Sequence, residues 1–211
     1  MDIILDFLFR WAHVLFGITW IGLLYYFNFV QTEYFKEATP EAKGDAVKKL
    51  APRALWWFRW GAMFTFLTGV VLLASVGSNS NGYLLIGALA GTVMFLNVWL
   101  IIWPNQKIVC GISEGDAAAA APKAGLASRT NTLLSFPMLM GMLGSGHGAG
   151  SDILIPVSSQ ASTGFIIAAA IVAAIALNGV FGKMGPMASV RGVIHCGIAL
   201  TAVLFGLMYF V

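Results

Sequence analysis

Six apolar runs, each near 20 residues long, leave this chain few ways to fold. A helix needs about 20 residues to cross the roughly 30 Å hydrocarbon core of a bilayer, and backbone polar groups in lipid must be satisfied within the spanning element. Only 10% of the residues are charged and 59% are hydrophobic, which sets the chain apart from soluble globular domains. The sequence therefore predicts an all-α, polytopic transmembrane helix bundle that forms a single integral membrane domain, residues 1–211. The predicted spans are at about 5–30, 56–76, 83–103, 129–146, 161–182 and 190–211.

The basic residues predict how this bundle is oriented. Eleven of the twelve Lys and Arg residues lie in or beside alternate connections, around 31–59, 104–129 and 183–191, and Arg10 is the exception. Cytoplasmic loops of membrane proteins carry the excess of Lys and Arg. We therefore expect these connections to be cytoplasmic and both termini to lie outside. The net charge of +3 is explained by these loops, so no nucleic-acid partner is expected.

The three histidines are the candidate functional residues of the spans. An ionisable side chain within a membrane helix is costly and is commonly functional, although many such residues only bond a neighbouring helix. At 1.5 Å per residue, His13 lies about 10 Å below the outer surface, and His147 reaches the outer boundary at the end of the fourth span. His195 lies near the cytoplasmic start of the sixth span, roughly 15 Å deeper than His13. We therefore expect His13 and His147 to meet, with His195 apart from them.

Two imidazoles from different helices, beside aromatic and small residues, could hold a membrane-embedded b-type haem, which needs axial nitrogen ligands and an apolar slot. Such a slot could also be ordinary helix packing, because aromatic and glycine residues fill most membrane bundles. The candidate slot residues are Phe16, Gly17, Trp20, Phe136, Gly141 and Gly144.

Other polar and small residues favour packing over chemistry. Asn28, Asn97, Asn131 and Asn178 are predicted to bridge helices, and the Gly87–Gly91 spacing predicts a close helix approach. No phosphate loop, zinc-binding helix or nucleophile elbow is present, so no catalytic residue is identified. Covalent haem attachment by Cys-x-x-Cys-His is excluded, because the two cysteines stand alone in the sequence.

Three stretches together carry a family resemblance: HVLFGITWIGLLYYFNFVQ (13–31), IIWPNQ (101–106) and NTLLSFPMLMGMLGSGH (131–147). They resemble, in this order, the membrane domain of the bacterial membrane-bound urate hydroxylases, the urate oxidase N-terminal family. The resemblance covers most of residues 10–147. The first helix is also distantly similar to the membrane protoporphyrinogen oxidases, which bind haem.

The resemblance implies a function and a site. His13 and His147 fall on motif histidines and are the implied ligands of the haem iron, while His195 lies outside the matching stretches and is a weaker candidate. Urate hydroxylases continue into a C-terminal cytochrome c, whereas this chain ends at Val211. We therefore expect a separate cytochrome or other membrane subunits to accept electrons, in the inner (cytoplasmic) membrane of a bacterium.

Two classes of function remain open at this point. The first is an integral membrane redox protein with haem b, acting in electron transfer or in oxidation of a small, urate-like substrate. The second is a cofactor-free accessory subunit that stabilises a membrane enzyme complex, which the abundance of Gly and Ala would suit. A solute transporter is disfavoured, because no convincing repeat relates the two halves.

Overall fold

The computed structural model describes residues 2–77, 80–145 and 162–211. Within these ranges the chain is helical and contains no β-strand, so the all-α prediction is confirmed. The long helices are α1 (Ile3–Glu37), α2 (Pro40–Val76), α3 (Gly82–Val109), α4 (Ala117–Leu143), α5 (Thr163–Phe181) and α6 (Val190–Phe210). Short π-helical turns interrupt them at Tyr26–Gln31, Ala46–Leu50 and Asn97–Ile102.

The first connection is shorter than the sequence predicts. Most of 31–53 is helical, and α1 and α2 meet at Ala38 and Thr39. The Thr39 hydroxyl accepts from the Ala42 N–H at 3.3 Å, and Pro40 occupies the first turn, where its missing N–H costs nothing. With 35 residues, α1 is about 52 Å long, so one end of it extends beyond the hydrocarbon core.

Five of the six long helices are apolar enough to cross a membrane, and α4 is the exception. The predicted fourth span, 129–146, therefore belongs to a longer and more polar helix that begins at Ala117. This helix packs against α3, α5 and α6 and also contacts α1. Because its neighbours cover its polar residues, α4 does not need to be apolar along its whole length.

The connections rich in basic residues lie at one end of the bundle, which we call the basic end. Residues from 31–51, from 102–110 and from 184–188 line a common cavity there. The start of α1, the end of α2, the start of α3 and the end of α4 meet at the opposite end. This grouping agrees with loops that alternate across a membrane, while the assignment of the basic end to the cytoplasm remains a prediction.

Helices α3 and α4 approach each other through two glycines. A Cβ built on Gly141 would lie 2.6 Å from the Tyr83 carbonyl oxygen and 2.9 Å from the Gly87 Cα. A Cβ built on Gly87 would lie 3.2 Å from the Met138 carbonyl oxygen. Backbone atoms cannot move aside as a flexible side chain can, so only glycine permits this contact. The predicted packing role of Gly87 is confirmed.

Substituting Gly141→Ala should therefore destabilise the bundle by about 1–3 kcal/mol, because the added methyl group overpacks the α3–α4 contact. Thermal unfolding of the detergent-solubilised protein measures the effect. Gly22→Ala is the matched control, since a Cβ at Gly22 meets nothing within 4 Å. Equal melting temperatures for the two variants would contradict this account of the contact.

Candidate functional site

The hydrogen bonding of His13 fixes which ring nitrogen is free. His13 Nδ1 lies 3.1 Å from Thr68 Oγ1. That hydroxyl lies 2.6 Å from the Phe64 carbonyl oxygen and 3.0 Å from the Thr65 carbonyl oxygen, so it donates its one proton to the backbone. Thr68 Oγ1 must then accept from His13 Nδ1–H. The lone pair of the imidazole is on Nε2, the arrangement found when a histidine binds a metal through one nitrogen and is oriented through the other.

Gly69 on α2 has no side chain, which leaves room for the His13 ring. A Cβ on Gly69 would lie 3.0 Å from His13 Cε1. His13 and Gly69 share a cleft with Leu73, Ala88 and Met142, which we call the His13 cleft. Its outer part has a volume of about 340 Å³, within the range of small-molecule sites, and its deeper part has a volume of about 80 Å³. The His13 cleft thus has walls from α1, α2, α3 and α4.

A deeper part of the His13 cleft is almost entirely apolar. Trp20, Phe66, Gly91 and Met138 line it beside His13. Trp20 is only 2% exposed, and its Nε1–H has no acceptor. Buried donors are nearly always paired in folded proteins, so this unpaired N–H is an exception within the described residues.

The other predicted ligands are not brought to this cleft by the described structure. His147 lies outside the described residues, and Met142, five positions earlier in the sequence, lines the cleft. His195 is exposed on α6 and is not among the cleft-lining residues. The ligand roles of these histidines stay predictions.

Most of the candidate slot residues have other contacts. The rings of Phe16 and Phe64 lie 4.9 Å apart, Phe136 lies against Gly197 of α6, and Gly141 packs on α3. Trp20 lines the cleft. The sequence does not show which helix faces which, because helices that are apolar all round give no periodic signal of the buried face.

The residue that sequence reasoning missed is Arg129. The sequence places it at the end of a basic connection, but it lies inside α4 and is only 5% exposed. It lines a cavity of about 330 Å³ at the basic end, together with Asn28, Gln31, Gln106 and Ser128. We call this the Arg129 cavity. In the sequence, the run Arg-Thr-Asn-Thr at 129–132 marks Arg129 as a candidate, because an ionisable residue at the edge of an apolar span is a functional candidate by default.

No described group neutralises Arg129 directly. Its side chain makes no hydrogen bond or ion pair within the described part of the chain, and Nη1 is buried without a partner. Glu33 acts on it electrostatically, but the Glu33 oxygens lie 2.7 and 2.9 Å from Lys36 Nζ. Cys110 also lines the cavity, and burial raises the pKa of its thiol, so it stays uncharged.

The polar face of α4 is otherwise tied to its neighbours. Asn97 Nδ2 donates to Asn131 Oδ1 at 2.8 Å, and Asn131 Nδ2 donates to the Met94 carbonyl oxygen at 2.9 Å. Asn28 Nδ2 donates to Ser128 Oγ at 2.8 Å. The bridging role predicted for these three asparagines is confirmed. For Asn178 it is wrong, because that side chain bonds the backbone of Lys183 just beyond its own helix.

The helices, their composition and this packing define a multi-pass membrane protein of the all-α class. The sequence profile described as urate oxidase N-terminal matches residues 75–208, more than half of the chain. The chain belongs to the urate oxidase N-terminal family. The match includes Arg129, His147 and His195, so His195 lies within the matched region after all, whereas His13 precedes it. No curated protein and no solved structure gives a significant match.

Replacing Asn131 by Leu should destabilise the bundle by about 1–3 kcal/mol, because the buried Asn97 amide then loses its acceptor. The double variant Asn97→Leu with Asn131→Leu should recover much of that loss, since removing both partners leaves no orphaned amide. Thermal unfolding of the two variants in the same detergent tests this. A double variant less stable than Asn131→Leu would show that the orphaned Asn97 amide does not cause the loss of stability.

Proposed function

We propose that this protein is an integral membrane redox protein that holds a b-type haem in the His13 cleft. The observation that carries the proposal is the position of His13, which lines an apolar cleft between four helices and is bonded to Thr68 through Nδ1, so that Nε2 carries the lone pair. Membership of the urate oxidase N-terminal family supports an oxidative role. The protein would act in electron transfer or in oxidation of a small, urate-like substrate, in the cytoplasmic membrane of a bacterium.

A bound haem would meet apolar walls and one imidazole ligand in this cleft. His13 would be one ligand, held in place by its bond to Thr68. Gly69 and Gly91 carry no side chains that would fill the cleft. His147 is the second ligand that the sequence predicts. Haem iron bound there would supply reversible one-electron chemistry, with ligand identity and burial setting its potential.

The chain's own contribution would be to orient His13, exclude water and deliver electrons to a partner. The partner would be a separate cytochrome or another membrane subunit, bound at the end of the bundle opposite the basic end, where the cleft lies. An oxidoreductase activity of this kind depends on that acceptor. The role is therefore proposed within a larger membrane assembly.

The difference between oxidised and reduced optical spectra of purified variants tests the ligand. His13→Ala should lose or strongly shift the b-type haem bands, because the axial nitrogen is removed. His195→Ala is the matched control and should keep the wild-type spectrum, because His195 does not line the cleft. The same spectra of His147→Ala and Met142→Leu identify the second ligand, because only the variant that lacks it should change the haem bands.

Identical spectra for His13→Ala and wild type would contradict the assignment of His13. A colourless, iron-free wild-type protein that co-purifies with a stoichiometric partner would instead support the cofactor-free accessory subunit. Unchanged partner activity after His13→Ala would strengthen that alternative.

Thr68→Val provides a subtler test of how His13 is held. Valine keeps the shape of threonine but cannot accept from His13 Nδ1–H, so the ring is less fixed and the imidazole less basic. We expect haem to be retained with a shifted reduction potential and weaker binding by about 10-fold or more. Potentiometric titration measures the shift. The control Thr92→Val changes a hydroxyl that lines the cleft and bonds only the Ala88 carbonyl of its own helix, and a potential moved equally by both would contradict the role of Thr68.

A further inference from the structure

Two cations lie at one tryptophan ring near the basic end of the bundle. The Arg59 guanidinium of α2 lies over the Trp103 ring of α3, with Cζ 3.8 Å from the ring centroid. Lys107, four residues further along α3, places Nζ 5.8 Å from the same centroid. An aromatic face attracts a cation, but two cations beside one ring repel each other. We call Arg59, Trp103 and Lys107 the Trp103 site.

Neither cation has a negative partner in the part of the chain that the structure describes. The ion pairs there lie elsewhere, at Arg10–Asp6, Lys36–Glu33 and Lys49–Asp45. Arg59 Nε is buried and has no hydrogen-bond acceptor. Buried donors are nearly always paired, and a guanidinium binds carboxylate or phosphate oxygens through parallel N–H bonds. A single anion beside Trp103 would satisfy Arg59 and screen its repulsion with Lys107.

The lengths of the helices place this site at the level of lipid phosphates. Helix α2 ends at Val76 and α3 begins at Gly82, both at the end of the bundle opposite the basic end. Arg59 lies seventeen residues before Val76, and Trp103 lies twenty-one residues after Gly82. At 1.5 Å per residue these separations are roughly 26 and 32 Å, close to the roughly 30 Å thickness of a hydrocarbon core. The Trp103 site therefore lies at the boundary between hydrocarbon and headgroups, where tryptophan rings are enriched.

An exposed apolar strip runs from the Trp103 site toward the middle of the bundle. Leu100 and Leu96 precede Lys107 by seven and eleven residues, which places the three side chains on one face of α3. These two leucines are 68% and 44% exposed. Ring contacts close the space between α2 and α3 beside this strip, at Trp60–Trp99 and Phe66–Phe95. An acyl chain would therefore lie along the leucines, outside the helix pair.

We infer that the Trp103 site binds the headgroup phosphate of an anionic phospholipid whose acyl chain lies along Leu96 and Leu100. Arg59 and Lys107 bind the phosphate oxygens. Basic pockets between membrane helices on the cytoplasmic side bind anionic headgroups in this way. A zwitterionic headgroup suits the site less well, because both basic side chains repel its own cation. A soluble phosphate would match the two charges but would leave the apolar strip unused.

Lipid binding at this site goes beyond the proposed function and does not depend on it. None of the three residues of the Trp103 site lines the His13 cleft or the Arg129 cavity. Loss of haem would leave the lipid contacts in place, and loss of the lipid would leave His13 in place. Lipid binding and haem binding can therefore succeed or fail separately.

Native mass spectrometry of the full chain in a neutral detergent tests the inference. Phosphatidylglycerol should bind about 10-fold or more tightly than phosphatidylcholine with the same acyl chains, because each cation near a membrane surface favours an anionic lipid. Bound phosphatidylglycerol should also raise the melting temperature, since a ligand that binds only the folded state stabilises it. Equal affinities for the two lipids would overturn the inference.

Variants of the two cations test the site itself. Arg59→Gln should weaken phosphatidylglycerol binding by about 10-fold or more, because a charge-assisted bond to the phosphate is lost. Lys107→Gln should weaken binding by about 5-fold, and it leaves the Arg59–Trp103 contact in place, so it tests the site even if Arg59→Gln does not fold.

Arg53→Gln is the matched control. Arg53 is exposed on the same helix, six residues before Arg59, and forms no cation–π contact with the described residues. Its separation from Arg59 is roughly 9 Å along the helix, about one Debye length at physiological ionic strength. This variant should bind phosphatidylglycerol as wild type does. Equal lipid affinity in the Arg53, Arg59 and Lys107 variants would show that only the general positive charge of the basic end attracts the lipid, and would overturn the inference.

Glycerophosphate separates a lipid from a soluble phosphate, because it carries the phosphate without acyl chains. At a concentration equal to that of phosphatidylglycerol, it should leave the bound lipid in place. Displacement of the lipid would identify a soluble phosphate as the occupant and overturn the inference. His13→Ala should bind phosphatidylglycerol as wild type does, which separates this inference from the proposed function.

Discussion

The polar face of α4 can lie in a membrane only because other helices cover it. Unsatisfied polar groups cost several kcal/mol each in hydrocarbon, and Asn131, Thr132 and Ser135 are fully buried against neighbouring elements. The bonds from Asn97 and to Met94 fix α3 against this face, and the Gly87–Gly141 contact brings the two backbones together. Residues of α3 and α4 line both the His13 cleft and the Arg129 cavity.

The same packing places two different environments at the two ends of the bundle. At one end, His13 is held by Thr68 in an apolar cleft, where an imidazole with a free lone pair can act as a ligand. At the basic end, Arg129 lies in a cavity lined with amides, where its charge has no direct partner.

The sequence was sufficient to predict the architecture, because runs of about 20 apolar residues have few alternatives to membrane helices. It also predicted that Asn28, Asn97 and Asn131 join helices, since amides in lipid need partners. It did not show which faces meet, because helices that are apolar on all sides give no periodic signal. Phe136 and Gly141 were therefore assigned to a haem slot, although they pack on α6 and α3 respectively. The sequence predicts that Arg129 lies at a loop, because positive charges usually mark cytoplasmic connections. Its burial follows from the packing of α4 against the neighbouring helices.

The haem and iron content of the protein, purified from haem-supplied cells, tests most directly whether it holds haem. We expect stoichiometric, non-covalently bound haem b that is released by acid-acetone extraction, because the sequence contains no covalent attachment motif. Protein that folds into a stable, monodisperse form with neither iron nor haem would contradict it.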